Sequence, residues 1–285
     1  MITLRPPRPD DAAELGRICF QAFAAIADEH NFPRDFGGPE HGVGLVSALS
    51  SNPAFFAVAA EEDGRLLGSN FLDERGAIFA VGPITVDPAA QNKGVGRRMM
   101  HAVLERAAQR GAAGVRLLQS GYHRRSLSLY ASLGFEVREP IACMTGPALE
   151  WTLPGAQVRA ATPDDLAACG RLCRQVHGHD RSGELTDAIG QGSAKVVERA
   201  GRITGYTSLL GYFGHSVGET TEDIQALIAA NTGPITPPGI LVPTRNGELF
   251  RWCLTQGMKV TQPLTLMTLG LYNEPKGGWM PSILY

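Results

Sequence analysis

The period of the hydrophobic positions changes several times along the chain, and each change predicts an element. Residues 2–5 read as a short strand. Pro9-Asp10-Asp11 then opens a helix with Ala12, Leu15, Ile18 and Cys19 inward, running to about Ala25. Residues 27–42 lose all periodicity, are polar and glycine-rich, and lead to a short helix near 43–51. Residues 54–60 and 65–72 read as a hairpin turned at Glu61-Glu62-Asp63-Gly64. From Ala77 to Val86 the chain is almost unbroken apolar, as in a buried strand, and Pro83 inside it predicts a bulge or a break in pairing. Met99, Met100, Val103, Leu104 and Ala107 restore the helical period to about Arg110. A strand over 115–119, a helix over 124–133 ended by Gly134, and a strand from Phe135 complete the first half.

Between the apolar strand and the helix at Met99 lies Asp87-Pro88-Ala89-Ala90-Gln91-Asn92-Lys93-Gly94-Val95-Gly96. A helix begins with amides that have no partner inside it, and its dipole adds partial positive charge there. Gly94 and Gly96 let an anion approach the backbone, and Lys93, Arg97 and Arg98 surround the turn with cations. The spacing is neither that of a dinucleotide fold nor that of a P-loop. It predicts a phosphate or other anion site of another kind.

Gln91-x-x-Gly94-x-Gly96 after Ile84-Thr85-Val86-Asp87-Pro88 resembles the acyl-CoA pyrophosphate loop of the GNAT superfamily of N-acyltransferases. Ser126-Leu127-Ser128-Leu129-Tyr130-Ala131-Ser132-Leu133-Gly134-Phe135 resembles that family's second signature, in the family's order and at a similar separation. The resemblance covers about residues 2–150. It implies an α/β (α+β) fold with a mixed, mostly antiparallel sheet flanked by helices, and acetyl transfer from acetyl-CoA to an amine by direct attack. It implies that Ile84, Thr85 and Val86 meet the pantetheine arm through a cleft in the sheet, with the oxyanion met by a main-chain N–H near Val86. Gln91, Asn92, Lys93, Gly94, Val95, Gly96 and Arg97 would hold the diphosphate, and Ser126 would line the donor groove. Tyr130 stands where the family often places the acid that protonates the leaving sulfur. His123 replaces a frequent asparagine beside the cofactor. For the proton on the attacking amine, Asp73, Glu74, Glu29 and His30 are the available groups.

The chain also repeats itself. Leu4-Arg5, Pro9-Asp10-Asp11, Gly16-Arg17 and Cys19 return as Val158-Arg159, Pro163-Asp164-Asp165, Gly170-Arg171 and Cys173 at one offset. Gly64-Arg65-Leu66-Leu67-Gly68 is echoed by Gly201-Arg202-Ile203-Thr204-Gly205. Two GNAT-like domains are expected, residues 1–150 binding acetyl-CoA and 156–285 a degenerate copy, joined near EWTLPGA (150–156). Ser216-Val217-Gly218-Glu219 reads as the counterpart of Gly94-Val95-Gly96-Arg97, with Phe213 for the glutamine. Glu219, Glu222 and Asp223 there would repel a diphosphate. Cys253 takes the place of Tyr130. The terminal segment with Trp279 and Tyr285 reads as a strand crossing to the first half, a lining of the acceptor site, or an ordinary closing strand.

Composition narrows the classes. The 285 residues are 44% hydrophobic and 19% charged with net charge −2, which suits a globular protein and offers no basic field for nucleic acid. No apolar run approaches the ~18 residues of a membrane span, so a cytoplasmic protein is expected, with no membrane partner. The five cysteines have no zinc spacing, so reduced core thiols and no metal are expected. The acceptor is expected to be a small-molecule amine, and a homodimer is compatible with the sequence. Two rival readings are a non-catalytic acyl-CoA sensor and an acyltransferase with a longer acyl donor.

Overall fold

The computed structural model describes residues 1–285. The first half runs β1 (Thr3–Arg5), α1 (Ala12–Glu29), α2 (Pro39–Ser51), β2 (Phe55–Glu62), β3 (Arg65–Asp73), β4 (Ile78–Val81), β5 (Thr85–Val86), α3 (Val95–Gln109), β6 (Gly114–Ser120), α4 (Arg124–Ser132) and β7 (Glu136–Gly146). The second runs β8 (Ala156–Ala160), α5 (Leu166–His177), α6 (Ser182–Gly190), β9 (Lys195–Arg199), β10 (Arg202–Thr207), β11 (Ser216–Gly218), α7 (Thr221–Ala229), β12 (Ile235–Pro243), α8 (Gly247–Thr255), β13 (Lys259–Gly270) and β14 (Gly278–Met280). Residues 147–155 link them without a helix or strand.

The repeated openings fold alike because the same ion pair ties strand to helix in each. Arg5 bonds Asp11 at 2.6 Å, and Asp11 accepts from the Arg8 amide at 2.6 Å. Arg159 bonds Asp165 at 2.7 Å, and Asp165 accepts from the Thr162 amide at 2.8 Å. Each carboxylate satisfies an otherwise orphaned amide at a helix start.

The two sheets are mixed, mostly antiparallel and flanked by helices, but their strands are not divided at the linker. The larger sheet is ordered β1-β2-β3-β4-β6-β13-β7-β12, with β5 against β3; the smaller is β14-β11-β10-β9-β8. β13 of the second half inserts between β6 and β7 of the first, and β7 lies between β13 and β12. Each half thus completes the other. Without β13, the facing edges of β6 and β7 would carry unpaired amides and carbonyls in the interior.

Pairing fails at the predicted place. β4 runs parallel to β6 only over Ile78–Ala80, opposite Gly114–Arg116. The chain breaks at Gly82-Pro83 and resumes as β5, which pairs with β3 alone. A Cβ on Gly68 would stand 2.1 Å from the Thr85 carbonyl oxygen, so glycine is required for that approach. β6 continues to Ser120. The two strands therefore diverge and open a cleft. α3 covers one face, with Met99, Met100 and Val103 fully buried, each contributing about 1.5–3 kcal/mol.

The second half closes the corresponding cleft. Gly205 pairs with Gly218 as Gly68 pairs with Val86, so Ser216-Val217-Gly218 is the counterpart of Ile84-Thr85-Val86. The assignment of that stretch to a glycine loop is corrected: it is strand β11. Only Glu219 and Thr220 separate it from α7. β14 then pairs along the other edge of β11, placing Trp279 opposite Val217. The last residues cross back to the first half, where Tyr285 meets Arg116. No helix is long and apolar enough to cross a membrane.

Candidate active site

The glycine-spaced loop is held from behind. Asp87 accepts from the Ala89 amide at 2.9 Å and from Arg65 at 2.6 Å. Gln91 Nε2 donates to the Val86 carbonyl at 3.2 Å, tying the loop to β5. Asn92 and Gly94 have φ of 64° and 79°, which turn the chain into α3. The first bond of α3 runs from the Arg98 amide to the Gly94 carbonyl at 3.1 Å, and no side chain caps the helix. The preceding amides are left open, as an anion site requires. By contrast, α7 is capped from within: the Thr220 amide donates to Asp223 at 3.0 Å, and Asp223 is fully buried.

A cavity of about 730 Å³ begins at the start of α3 and runs along β5 to α4. Every residue assigned above to the donor groove lines it except Lys93. Arg97 lines the cavity, Arg98 instead donates to the Ile2 carbonyl at 3.1 Å, and Arg124 and Arg125 at the start of α4, which the sequence reading did not single out, line the cavity as well.

A second cavity of about 670 Å³ lies between the halves. It shares Phe23, Ile84, Ser120, His123, Ser126 and Tyr130 with the first, so the two meet at the mouth of the split sheet, beside α1. Its walls include Phe36 and Leu45 from the first half and Tyr212, Phe213, Pro238 and Leu284 from the second.

Tyr130 is 6% exposed, and burial pushes its phenol above the ordinary range. It therefore keeps its proton near neutrality. Burial, with Arg125 and His30 adding to it, pushes His123 down to about 4, so it is a neutral imidazole. Ser126 Oγ lies 2.9 Å from Gln119 Oε1, whose amide nitrogen is buried without a partner.

The carboxylates suggested for proton removal are redistributed. Asp73 bonds Arg75 at 3.0 Å, and Glu74 is held by Arg106 at 2.6 Å and Arg110 at 3.3 Å; neither lines the two cavities. His30 lies 3.1 Å from the Ile26 carbonyl, and Glu29 lines the first cavity. Two carboxylates line the second cavity, Glu40 at the start of α2 and Asp35 from the aperiodic segment, and Asp35 is the one that the other half holds. Its Oδ1 accepts from Tyr212 at 3.2 Å and from Gln262 at 3.1 Å, and its Oδ2 is buried without a partner. Burial raises its pKa despite those two bonds. Nothing local in the sequence marks Asp35, because both its partners come from the other half.

All five cysteines are buried and free. Burial pushes Cys19, Cys169 and Cys253 up to about 12 and Cys143 up to about 11, and raises Cys173 as well, so none is an activated nucleophile. No group of three or more His, Cys, Asp or Glu is placed to hold a metal.

Residues 23–135 match the acetyltransferase (GNAT) family. The mycothiol acetyltransferase of Nocardia farcinica is 32% identical over 134 residues, covering 45% of this chain and 42% of that protein. The chain thus spans less than half the length of the curated relatives it matches. A solved structure from Pyrococcus horikoshii aligns with a TM-score of 0.72 at 16% identity, covering 97% of this chain and 91% of that one. A tandem GNAT protein from the clavulanic acid biosynthesis pathway aligns with a TM-score of 0.55 at 13% identity, covering 98% and 99%. At such identities the two solved structures speak for fold alone. The family match falls on the half that keeps the open helix start and the split sheet, and the tandem alignment spans both halves. Residues 23–135 thus match the GNAT acetyltransferase family, and the chain as a whole has the fold of a tandem GNAT protein.

Proposed function

We propose that this chain transfers an acetyl group from acetyl-CoA to the amine of a small molecule, using the first half for the donor and both halves for the acceptor. The observation that carries the reading is the meeting of the two cavities at Tyr130. The open amides of α3, with Arg97, Arg124 and Arg125, suit the diphosphate. The free edge of β5 suits the amides of the pantetheine arm, which delivers the thioester to the split between Ile84 and Ser120.

The neutral amine attacks the thioester carbon from the second cavity. A C–N bond forms, the carbonyl π electrons move onto oxygen, and a main-chain N–H on the free edge of β5 meets that charge. Collapse breaks the C–S bond. The thiolate takes the Tyr130 proton, and the proton shed by nitrogen restores the phenol through solvent, so none is gained or lost overall. A phenol suits this step because its ordinary pKa of about 10 lies near that of an alkyl thiol, and the burial that raises the Tyr130 phenol also raises a thiolate departing beside it. No acyl-enzyme is required.

The test is amine-dependent release of free thiol from acetyl-CoA by the full chain, with the acetylated amine identified by mass. Tight acetyl-CoA binding without thiol release on any amine would replace the enzyme reading with that of a sensor.

A further inference from the structure

The two cavities differ in charge. The first is lined by Arg97, Arg124 and Arg125 against the single carboxylate of Glu29. The second contains no lysine or arginine, and its carboxylates are Asp35 and Glu40. Its histidine nearest the first cavity, His123, is neutral. An anionic acceptor would meet no counter-charge there, whereas a cation would.

Asp35 is a built feature of that cavity. Tyr212 and Gln262 of the second half hold its Oδ1, which fixes the carboxylate and leaves Oδ2 buried with no partner in the chain. An unpartnered buried carboxylate oxygen costs free energy unless a ligand donates to it. Gln262 also accepts from Tyr122 at 3.3 Å, and the Tyr122 ring stacks on Phe32 at 4.2 Å, so the segment just before Asp35 is tied into the same network. Around the carboxylate the surface is mostly apolar, from Phe23, Phe36, Leu45, Phe213, Pro238 and Leu284.

We propose that Asp35 is the specificity-determining residue of the acceptor site, docking the ammonium of a primary amine whose remaining body is apolar and carries no carboxylate. This deepens the acyltransferase reading and rests on it. The second half then contributes to acceptor binding in place of donor binding: its own donor cleft is closed by β14, and it supplies both groups that aim Asp35. The docked ammonium passes its proton to water before the nitrogen attacks, so Asp35 binds and orients the amine without taking part in the proton transfer.

The experiment compares 2-phenylethylamine, L-phenylalanine and glucosamine as acceptors for the full chain, with coenzyme A affinity measured in parallel by calorimetry. The expected result is a kcat/KM for 2-phenylethylamine about tenfold or more above both others, the first lost to the added carboxylate and the second to the polar body. In Asp35→Asn, the KM for 2-phenylethylamine is expected to rise about tenfold or more while kcat stays within about threefold and coenzyme A affinity is unchanged. Equal use of L-phenylalanine, or an unchanged KM in Asp35→Asn, overturns the proposal. If coenzyme A fails to bind, the acyltransferase reading itself fails; calorimetric binding of 2-phenylethylammonium to wild type and Asp35→Asn then decides the role of Asp35. If Asp35→Asn does not fold, Tyr212→Phe, which frees one lone pair on Oδ1, and the wild-type acceptor ranking carry the test.

Discussion

The Arg116 guanidinium stands 4.2 Å from the centroid of the Tyr285 ring. Arg116 belongs to β6 of the first half, and Tyr285 comes from the segment after β14 of the second. Arg116 is 1% exposed, and its Nε and one terminal nitrogen have no hydrogen-bond partner. Burial, with Arg181 adding to it, pushes its pKa down to about 9, so it remains a cation at neutral pH. The faces of Tyr285 and Tyr272, the latter at 5.1 Å, take the place of water around it. Tyr285 also lies 4.4 Å from Arg181 and bonds His179 at 2.9 Å. Tyr285→Ala is therefore expected to lower stability by about 2–4 kcal/mol, because it strips a large side chain and uncovers a buried charge. Denaturant melts read the loss, while coenzyme A affinity stays as it was. An unaltered midpoint would mean that Tyr285 does not hold the halves together.

Gly94 offers a backbone test free of steric collision, since a Cβ there would meet nothing within 4 Å. Its φ of 79° alone decides the outcome. Gly94→Ala should cost about 1–2 kcal/mol and weaken coenzyme A binding, because relaxing the residue moves the open amides of α3. Gly94→Asn should cost less, since asparagine tolerates that region. Equal affinities for all three proteins would separate the loop conformation from binding.

Tyr130→Phe keeps the ring in the core and removes the acid. Turnover is expected to fall about 10²-fold or more while the KM for acetyl-CoA is unchanged. Steady-state thiol release at saturating amine measures it. An unchanged rate would assign Tyr130 to packing alone.

Acid stability should follow the buried histidines. Burial pushes His179 and His123 each down to about 4, and His177 well below its ordinary value. Unfolded histidine titrates near 6.5, so between that pH and 4 the unfolded chain binds more protons than the folded one. Their contribution is complete above about pH 6.5 and is lost as the pH falls toward 4, on the order of 2–3 kcal/mol for His179. Melts from pH 7 to pH 4 should show this decline, and His179→Gln should flatten it. A midpoint that rises on acidification would contradict the assignment.

What the sequence disclosed and what it hid divide along the range of the interactions. The proposed donor loop was legible because its features are local: Gln91, Gly94, Gly96 and Arg97 lie within seven residues of sequence, and Pro83 announces the split just before them. The exchange of β13 and β7 was not, because strands read alike whichever neighbour they pair with. The offset that placed Ser216-Val217-Gly218 on the loop failed because two residues separate β11 from α7 where a longer loop precedes α3; one Val-Gly pair matched by coincidence. Arg124 and Arg125 escaped notice as surface residues of a helix start. Asp35 carried no signal, since Tyr212 and Gln262, which orient it, lie far along the chain.

The central claim is that the open amides at the start of α3 hold a diphosphate. Titrating coenzyme A into uniformly labelled protein, and following amide shifts residue by residue, tests it most directly. The account predicts saturable shifts concentrated on Gly94 to Arg97, weakened in Arg97→Glu and absent from Thr221 to Asp223 of the second half. Saturation with no change at Gly94 to Arg97, or shifts centred on α7, would contradict it.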